Sequence, residues 1–181
     1  MGNILSKILA IILGCLLLYI VPTYYTYIGQ DDISKLVVKQ AVVNFVDSVR
    51  NKGYISPAMY MEFESNLLAS GNDYSIEMIH SKKRYDPVYD HNGNFMNDVM
   101  VNYDEYVTQD ILKVLFPDNN WPVDDKRRLY MMSVGDFFYV KVQNINKTSA
   151  TAVREFLTGS NFGTAPVLVV PYGGMVYNED Y

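Results

Sequence analysis

The chain has 181 residues and a net charge of −5. All 20 acidic residues and 14 of the 15 basic residues follow residue 30, so the part beyond that point is acidic. Nucleic-acid binding requires a concentrated basic surface, and the clustered bases are two runs of three, at residues 82–84 and 126–128, so we expect no nucleic-acid partner. The lone cysteine, Cys15, precedes residue 30, which leaves the rest without a disulfide or a cysteine metal site.

The N-terminal segment carries no charge between Lys7 and Asp31, a run of 23 residues. Residues 8–21 are apolar apart from Gly14 and Tyr19. As a helix with a rise of 1.5 Å per residue, the run spans roughly 35 Å, enough to cross a hydrocarbon core of about 30 Å. The run ends in a tyrosine-rich stretch at residues 23–27, and such rings prefer the headgroup layer. We therefore predict that residues 1–30 are a membrane anchor in contact with the bilayer.

Three other interpretations of this segment stay open. It resembles a cleaved signal peptide, although no small-residue cleavage site follows the apolar run. Cys15 is the residue that a lipoprotein signal would modify, and residues 1–6 fit the N-myristoylation pattern. We favour an uncleaved signal anchor. The basic flank at Lys7 then predicts a single-pass protein of the cell membrane, with a cytoplasmic N-terminus and an extracytoplasmic C-terminal domain.

An amphipathic helix is predicted to extend from the anchor over residues 31–55, with Gly53 as its stop. Its apolar residues recur at helical spacing: Ile33, Leu36, Val37, Val43, Val46 and Val49. We expect the C-terminal half of this stripe to pack on the protein's own domain, and a fragment from about residue 45 to fold alone. Close to the membrane, Ile33, Leu36 and Val37 are the predicted partner-binding residues.

Residues 56–181 are predicted to form an exported α+β domain. A helix begins at Ser56-Pro57, an N-cap followed by proline, and ends by Gly71. A strand over 74–80 and a two-residue hairpin turn at Asn92-Gly93, with positive φ at both residues, come next. Residues 108–116 form a short helix.

The remaining elements are two strands, a helix and a final strand. Residues 129–134 and 137–145 are predicted strands on either side of Gly135-Asp136. A helix capped by Thr148 or Ser149 and ended by Gly159 presents an apolar stripe, which consists of Val153, Phe156 and Leu157. Residues 166–172 are so apolar that we expect a central strand buried on both faces, followed by a turn at residues 172–175. This order, with the hairpin inserted, predicts a mostly antiparallel, ferredoxin-like sheet.

The sequence contains no pattern of residues that indicates catalysis. His80 and His91 are the only histidines, and nucleophile, phosphate-cradling and dinucleotide motifs are missing. One loop has oxygen-bearing side chains at positions 1, 3, 5 and 9 of a calcium-binding loop, but Val101 replaces its closing glutamate. These four are Asp90, Asn92, Asn94 and Asp98. We therefore predict no enzyme, no catalytic or cofactor-binding residue, no metal and no cofactor.

Several short segments resemble a known family. They are residues 46–55 (VDSVRNKGYI), 70–77 (SGNDYSIE), 135–142 (GDFFYVKV) and 172–179 (YGGMVYNE), which follow the N-terminal anchor. Together they resemble the pseudopilin-like (TadE/TadG-like) proteins of tight-adherence (Tad/Flp) pilus systems, in particular uncharacterised relatives in Gram-positive bacteria. Pilin processing places a glutamate five residues after the cut, whereas a cut after Gly14 puts Tyr19 there.

The resemblance implies a structural or assembly component of a Tad-like pilus, secretion or conjugation-type apparatus. Such a protein acts through contacts with other envelope or pilus-apparatus proteins or with further copies of itself. The alternative function is a membrane-anchored extracytoplasmic sensor domain that binds a ligand or calcium.

Overall fold

The computed structural model describes residues 2–119, 121–161, 163 and 167–181, with side chains from residue 4 onward. It is an α+β protein in which a long apolar N-terminal helix precedes a domain with an antiparallel sheet. The elements are α1 (Gly2–Lys52), β1 (Tyr54–Ile55), α2 (Pro57–Leu68), β2 (Tyr74–Tyr89), β3 (Phe95–Val107), α3 (Thr108–Leu115), a 3-10 turn (Lys126–Arg128), β4 (Tyr130–Met131), β5 (Phe137–Asn144), α4 (Ser149–Thr158) and β6 (Val169–Met175). Pro166, the predicted start of the last strand, lies outside the described residues.

The anchor and the helix after it form one continuous element, α1, of 51 residues. It ends where Gly53 adopts a φ of +77°, a conformation that side chains with a Cβ disfavour. Among the described residues, α1 is the one helix that is long and apolar enough to cross a membrane, and no residue of its apolar window is buried. A signal sequence near an N-terminus has the same properties.

The main sheet has four strands in the order β3-β2-β5-β6, and every neighbouring pair is antiparallel. The hairpin is not an insertion, because β2 pairs with β5 through its first half and with β3 through its second. β3 and β5 are parallel to each other on either side of β2 and are connected through α3. β6 lies beside β5 and antiparallel to it, so α4 does not join a second parallel pair. The prediction of a central last strand is wrong, since β6 is at the edge.

The predicted strand over residues 129–134 is shorter in the structure. β4 has only two residues and pairs with β1, through Tyr54 and Met131, in a separate small sheet. The chain turns away after β4 because Gly135 has a φ of +91° and the Asp136 carboxylate accepts the backbone N–H of Ser133 at 2.8 Å. β5 therefore begins in the main sheet, without β4 as a neighbour.

The turn between β2 and β3 differs from the predicted two-residue turn. Gly93 has a φ of +81°, but Asn92 does not have a positive φ. The backbone N–H of Gly93 donates to the carbonyl of Asp90 at 3.0 Å, and the N–H of Asp90 donates to the carbonyl of Asn94 at 2.9 Å. This is a three-residue loop, in which a turn is followed by one left-handed residue. Only the glycine needs the left-handed conformation.

The core lies between α1 and one face of the sheet, with α2 and α3 closing its sides. The rings of Phe45 and Phe63 stack at 4.4 Å between α1 and α2. From α1 the core takes Val38, Ala41, Val42, Phe45, Val46 and Val49, each at most 7% exposed. A fragment starting near residue 45 would therefore lack part of the core, which residues 31–55 and 56–181 share.

Candidate functional site

The open face of the sheet, on the side away from α1, is rich in apolar side chains. Residues paired across strands share a face, so the register of β2, β3, β5 and β6 assigns them. The exposed apolar members are Tyr85, Tyr89, Phe95, Val99, Val101, Tyr103, Val107, Phe137, Tyr139, Val169 and Met175. Two of the rings, Tyr103 and Phe137, meet edge to face at 5.8 Å between β3 and β5.

An antiparallel sheet with one face in water normally alternates apolar and polar residues. Here part of the water-facing side is apolar as well, as β6 illustrates: Val170 is 6% exposed and its neighbour Val169 is 37% exposed. The sequence predicted a strand buried on both faces, whereas this chain covers only one of them. Large exposed apolar patches on a folded protein mark interaction sites.

The second half of β2 and most of β3 form a two-stranded arm, defined here as residues 82–104. It extends past the sheet because the pairing of β2 with β5 ends at Ser81 and Phe137. On the side opposite the aromatic rings, Arg84 pairs with Asp86 at 3.0 Å and with Asp104 at 2.7 Å. Two-stranded ribbons are marginally stable alone, and an exposed strand edge such as that of β3 is a template for pairing.

The sequence-predicted partner residues form a separate surface. Ile33 and Leu36 are 63% and 67% exposed, and Val37 is also exposed. On the other side of α1, Ser34 donates its hydroxyl hydrogen bond to the carbonyl of Ser70 at 3.0 Å, which fixes this part of α1 to the domain. Since α1 packs behind the sheet, the structure does not bring these three residues together with the open face.

A buried polar network joins β2, β4 and the start of β5. Nδ1 of His80 lies 2.8 Å from the Tyr130 hydroxyl, and Nε2 lies 2.9 Å from Oδ2 of Asp136. The second oxygen of Asp136 accepts the backbone N–H of Lys83 at 2.8 Å. Burial lowers the pKa of His80 below its ordinary value, although the adjacent carboxylate acts in the opposite direction. A neutral ring with its proton on Nε2 satisfies both partners.

This network resembles a catalytic arrangement, but its position gives it a structural role. His80 and Asp136 are 2% and 1% exposed, so no substrate reaches either group from the surface. The sequence analysis missed the network, because Tyr130 and Asp136 are 50 and 56 residues away from His80 along the chain. The aspartate beside the glycine at 135 was the one visible signal, since such residues often stabilise turns.

The calcium-like loop uses its oxygen atoms within the turn. The Asp90 carboxylate accepts the backbone N–H groups of Asn94 and Asn92 at 2.8 Å each, and these donors lower the pKa of Asp90. Asp98 accepts the N–H of Val99 at 2.8 Å. Across the part of the chain that the structure describes, no three His, Cys, Asp or Glu side chains lie close enough to hold a metal ion.

Two of the segments that carry the family resemblance, residues 46–55 and 172–179, meet at the end of α1. Arg50 donates from Nε to the carbonyl of Met175 at 2.9 Å and from its guanidinium to the Tyr177 hydroxyl. A Cβ on Gly174 would lie 2.7 Å from this guanidinium. The predicted turn at residues 172–175 is therefore wrong: Gly173 and Gly174 lie within β6, where close packing excludes larger side chains.

Comparison of the chain with protein-family models, curated proteins and solved structures finds no match. The functional argument therefore rests on the surfaces that the chain presents. These are the apolar half of α1, the open face of the sheet with its arm, and the exposed stripe at Ile33, Leu36 and Val37.

Proposed function

We propose that the protein is a single-pass membrane protein that acts as a structural or assembly component of an envelope apparatus through protein–protein contacts. In this proposal α1 crosses the cell membrane with its N-terminus in the cytoplasm, and the α+β domain lies outside. The protein performs this role without a catalytic centre, cofactor or metal.

The observation that carries the proposal is the open face of the sheet. Tyr85, Tyr103 and Phe137 are 61%, 46% and 43% exposed. Covering such aromatic rings with a partner removes apolar surface from water and stabilises the complex. Tyrosine and phenylalanine are also enriched in the cores of protein interfaces. Because the arm continues this face beyond the domain, a partner that covers both also stabilises the ribbon.

The kind of apparatus is proposed from the family resemblance. A Tad-like pilus, or a related secretion or conjugation-type system, uses small anchored proteins with exported domains. Of the predicted ferredoxin-like sheet, this proposal keeps only one unit, in which the parallel strands β3 and β5 flank β2 and are connected through α3. Genes for a secretion ATPase and a membrane platform beside this gene would support the proposal.

Site-specific photocrosslinking in intact cells of the native host tests the interface. A photoreactive phenylalanine analogue replaces Tyr103 or Phe137 on the open face, and Ser65, exposed on α2, is the matched control position. We expect adducts with an envelope-apparatus subunit, or with a second copy of the chain, from the first two positions and not from Ser65. Equal labelling from all three positions, or none from the open face, would contradict the proposed contact surface.

A further inference from the structure

The helix α4 lies along the part of α1 that is predicted to be in the membrane. Its N-cap residue Thr148 donates a hydrogen bond from its hydroxyl to the Asp31 carboxylate at 2.8 Å. Farther along α4, Val153 and Phe156 line a groove of about 360 Å³ together with Tyr19 and Thr23. α4 therefore runs from Asp31 back towards the N-terminal end of α1.

The side chains of α4 are sorted by polarity. Val153, Phe156 and Leu157 have the spacing of one helix face, and Phe156 is 78% exposed. The stripe is the one predicted from the sequence, and α4 buries only Ala150 and Thr151. The apolar face of α4 thus points away from the domain core, beside the anchor.

The charged residues of α4 have partners on the domain side. Glu155 pairs with Lys147, which precedes the helix, at 2.6 Å. Arg154 lines a second groove with Asp31 and Asp32, the first two charges after the anchor. The charged side chains Arg154 and Glu155 therefore contact groups near the membrane-distal end of α4, and its apolar stripe can face lipid.

The level of α4 in the bilayer follows from the helical rise of α1. Tyr19 is twelve residues before Asp31, roughly 18 Å along the helix axis at 1.5 Å per residue. The hydrocarbon core is about 30 Å thick, and Tyr19 is the central residue of the uncharged run 8–30. The groove between Tyr19 and Tyr27 then lies between the midplane and the outer headgroups.

We infer that α4 is a second membrane-contacting element: its stripe enters the outer leaflet, and lipid acyl chains occupy the groove between α4 and α1. Apolar side chains such as Phe156 are stabilised when acyl chains cover them and remove them from water. The contact limits how far α1 and the domain, which form one continuous unit, can tilt and rotate together in the membrane. The inference rests on the membrane insertion of α1 proposed above.

Depth-dependent fluorescence quenching tests this inference on the full chain. The Cys15→Ser protein receives one new cysteine with an environment-sensitive dye, at Leu157, at Ile12 in the anchor, or at Ser65 on α2. Each protein is reconstituted in phosphatidylcholine–phosphatidylglycerol nanodiscs that contain lipids spin-labelled on their acyl chains. We expect the dye at Leu157 to be quenched at least about half as strongly as the dye at Ile12, and the dye at Ser65 to be unaffected.

The outcomes separate this inference from the proposed anchoring. Quenching at Ile12 without quenching at Leu157 would overturn the contact of α4 with lipid, and so would a blue-shifted but unquenched dye at Leu157, which indicates a protein neighbour. An unquenched dye at Ile12 would overturn the anchoring itself. Adding Phe156→Glu should abolish the quenching at Leu157, whereas Tyr85→Glu, at an exposed aromatic residue on the open face, should leave it unchanged.

Discussion

Replacing Gly53 by alanine tests whether the C-terminal residues are docked against the end of α1. Gly53 has a φ of +77°, and a Cβ there would lie 2.2 Å from the backbone oxygen of Asn178 and 3.0 Å from Cα of Glu179. Both atoms belong to the backbone and cannot rotate away. The alanine therefore requires residues 177–180 to move off the helix.

Gly71 supplies a matched control. Its φ is +81°, but a Cβ there meets no atom within 4 Å. Alanine at either position costs about 1–2 kcal/mol for the left-handed conformation. Only Gly53→Ala also breaks two backbone hydrogen bonds, from Tyr177 to the carbonyl of Arg50 and from Asp180 to that of Lys52, each 2.8 Å long.

The two lost bonds contribute about 0.5–1.5 kcal/mol each. We therefore expect Gly53→Ala to lower the free energy of unfolding by about 3 kcal/mol, and Gly71→Ala by about 1–2 kcal/mol. Urea unfolding of the full chain in detergent micelles, followed by the fluorescence of Trp121, measures both. Equal losses for the two variants would refute the docking of the C-terminal residues on α1.

Three further predictions concern pH, assembly and the arm. Burial lowers the pKa of His80, so the unfolded chain binds more protons than the folded chain below about pH 6.5. The free energy of unfolding should therefore fall as the pH drops below that value. His80→Gln should reduce the dependence of the melting temperature on pH in acid titrations. Ile33→Asp with Leu36→Asp should leave the melting temperature unchanged, because both side chains are exposed, but should abolish co-purification of partner envelope proteins. Gly93→Ala should destabilise the arm by about 1 kcal/mol because its φ is +81°, as measured by amide exchange in β2 and β3.

Each of these predictions has its own control. His91, the other histidine, is exposed, so His91→Gln should keep the full acid slope, and an unchanged slope in the His80 variant would contradict the argument. A lower melting temperature for the Ile33 and Leu36 double variant would mean that these residues support the fold. Asn92→Ala should have little effect on the stability of the arm, since Asn92 does not need a positive φ. A loss of stability equal to that of Gly93→Ala would instead support the two-residue turn.

Local chemistry in the sequence determined where most of the helices begin and end. Ser56 caps α2 by accepting the N–H of Met59 at 3.2 Å, and Thr148 caps α4 by accepting the N–H of Thr151 at 3.3 Å. Gly53 and Gly159 follow the ends of α1 and α4 with positive φ. These signals are readable in a sequence because a cap involves only residues within one helical turn of it.

Strand pairing was not readable in the same way. The hairpin turn was predicted, but the length of its second strand, β3, was not, because the residues of β3 are exposed on both faces and show no alternation towards a core. The pairing of β4 with β1, more than seventy residues earlier, was not predicted. Gly173 and Gly174 suggested a turn, whereas their role is to let Phe138 and Arg50 approach the backbone of β6.

Apolar patterns in the sequence identified which residues belong to contact surfaces, but not what each surface contacts. The predicted stripe of α1 divides between the core, which takes Val46 and Val49, and the exposed residues near the membrane. The stripe of α4 faces outward beside the anchor, and β6 is open on one side. Apolar spacing shows that a residue belongs against something apolar, but whether the chain itself, a lipid or another protein covers it depends on how the elements pack. Only the tertiary structure decides that, because α1 covers a single face of the sheet and leaves the other without a layer of its own.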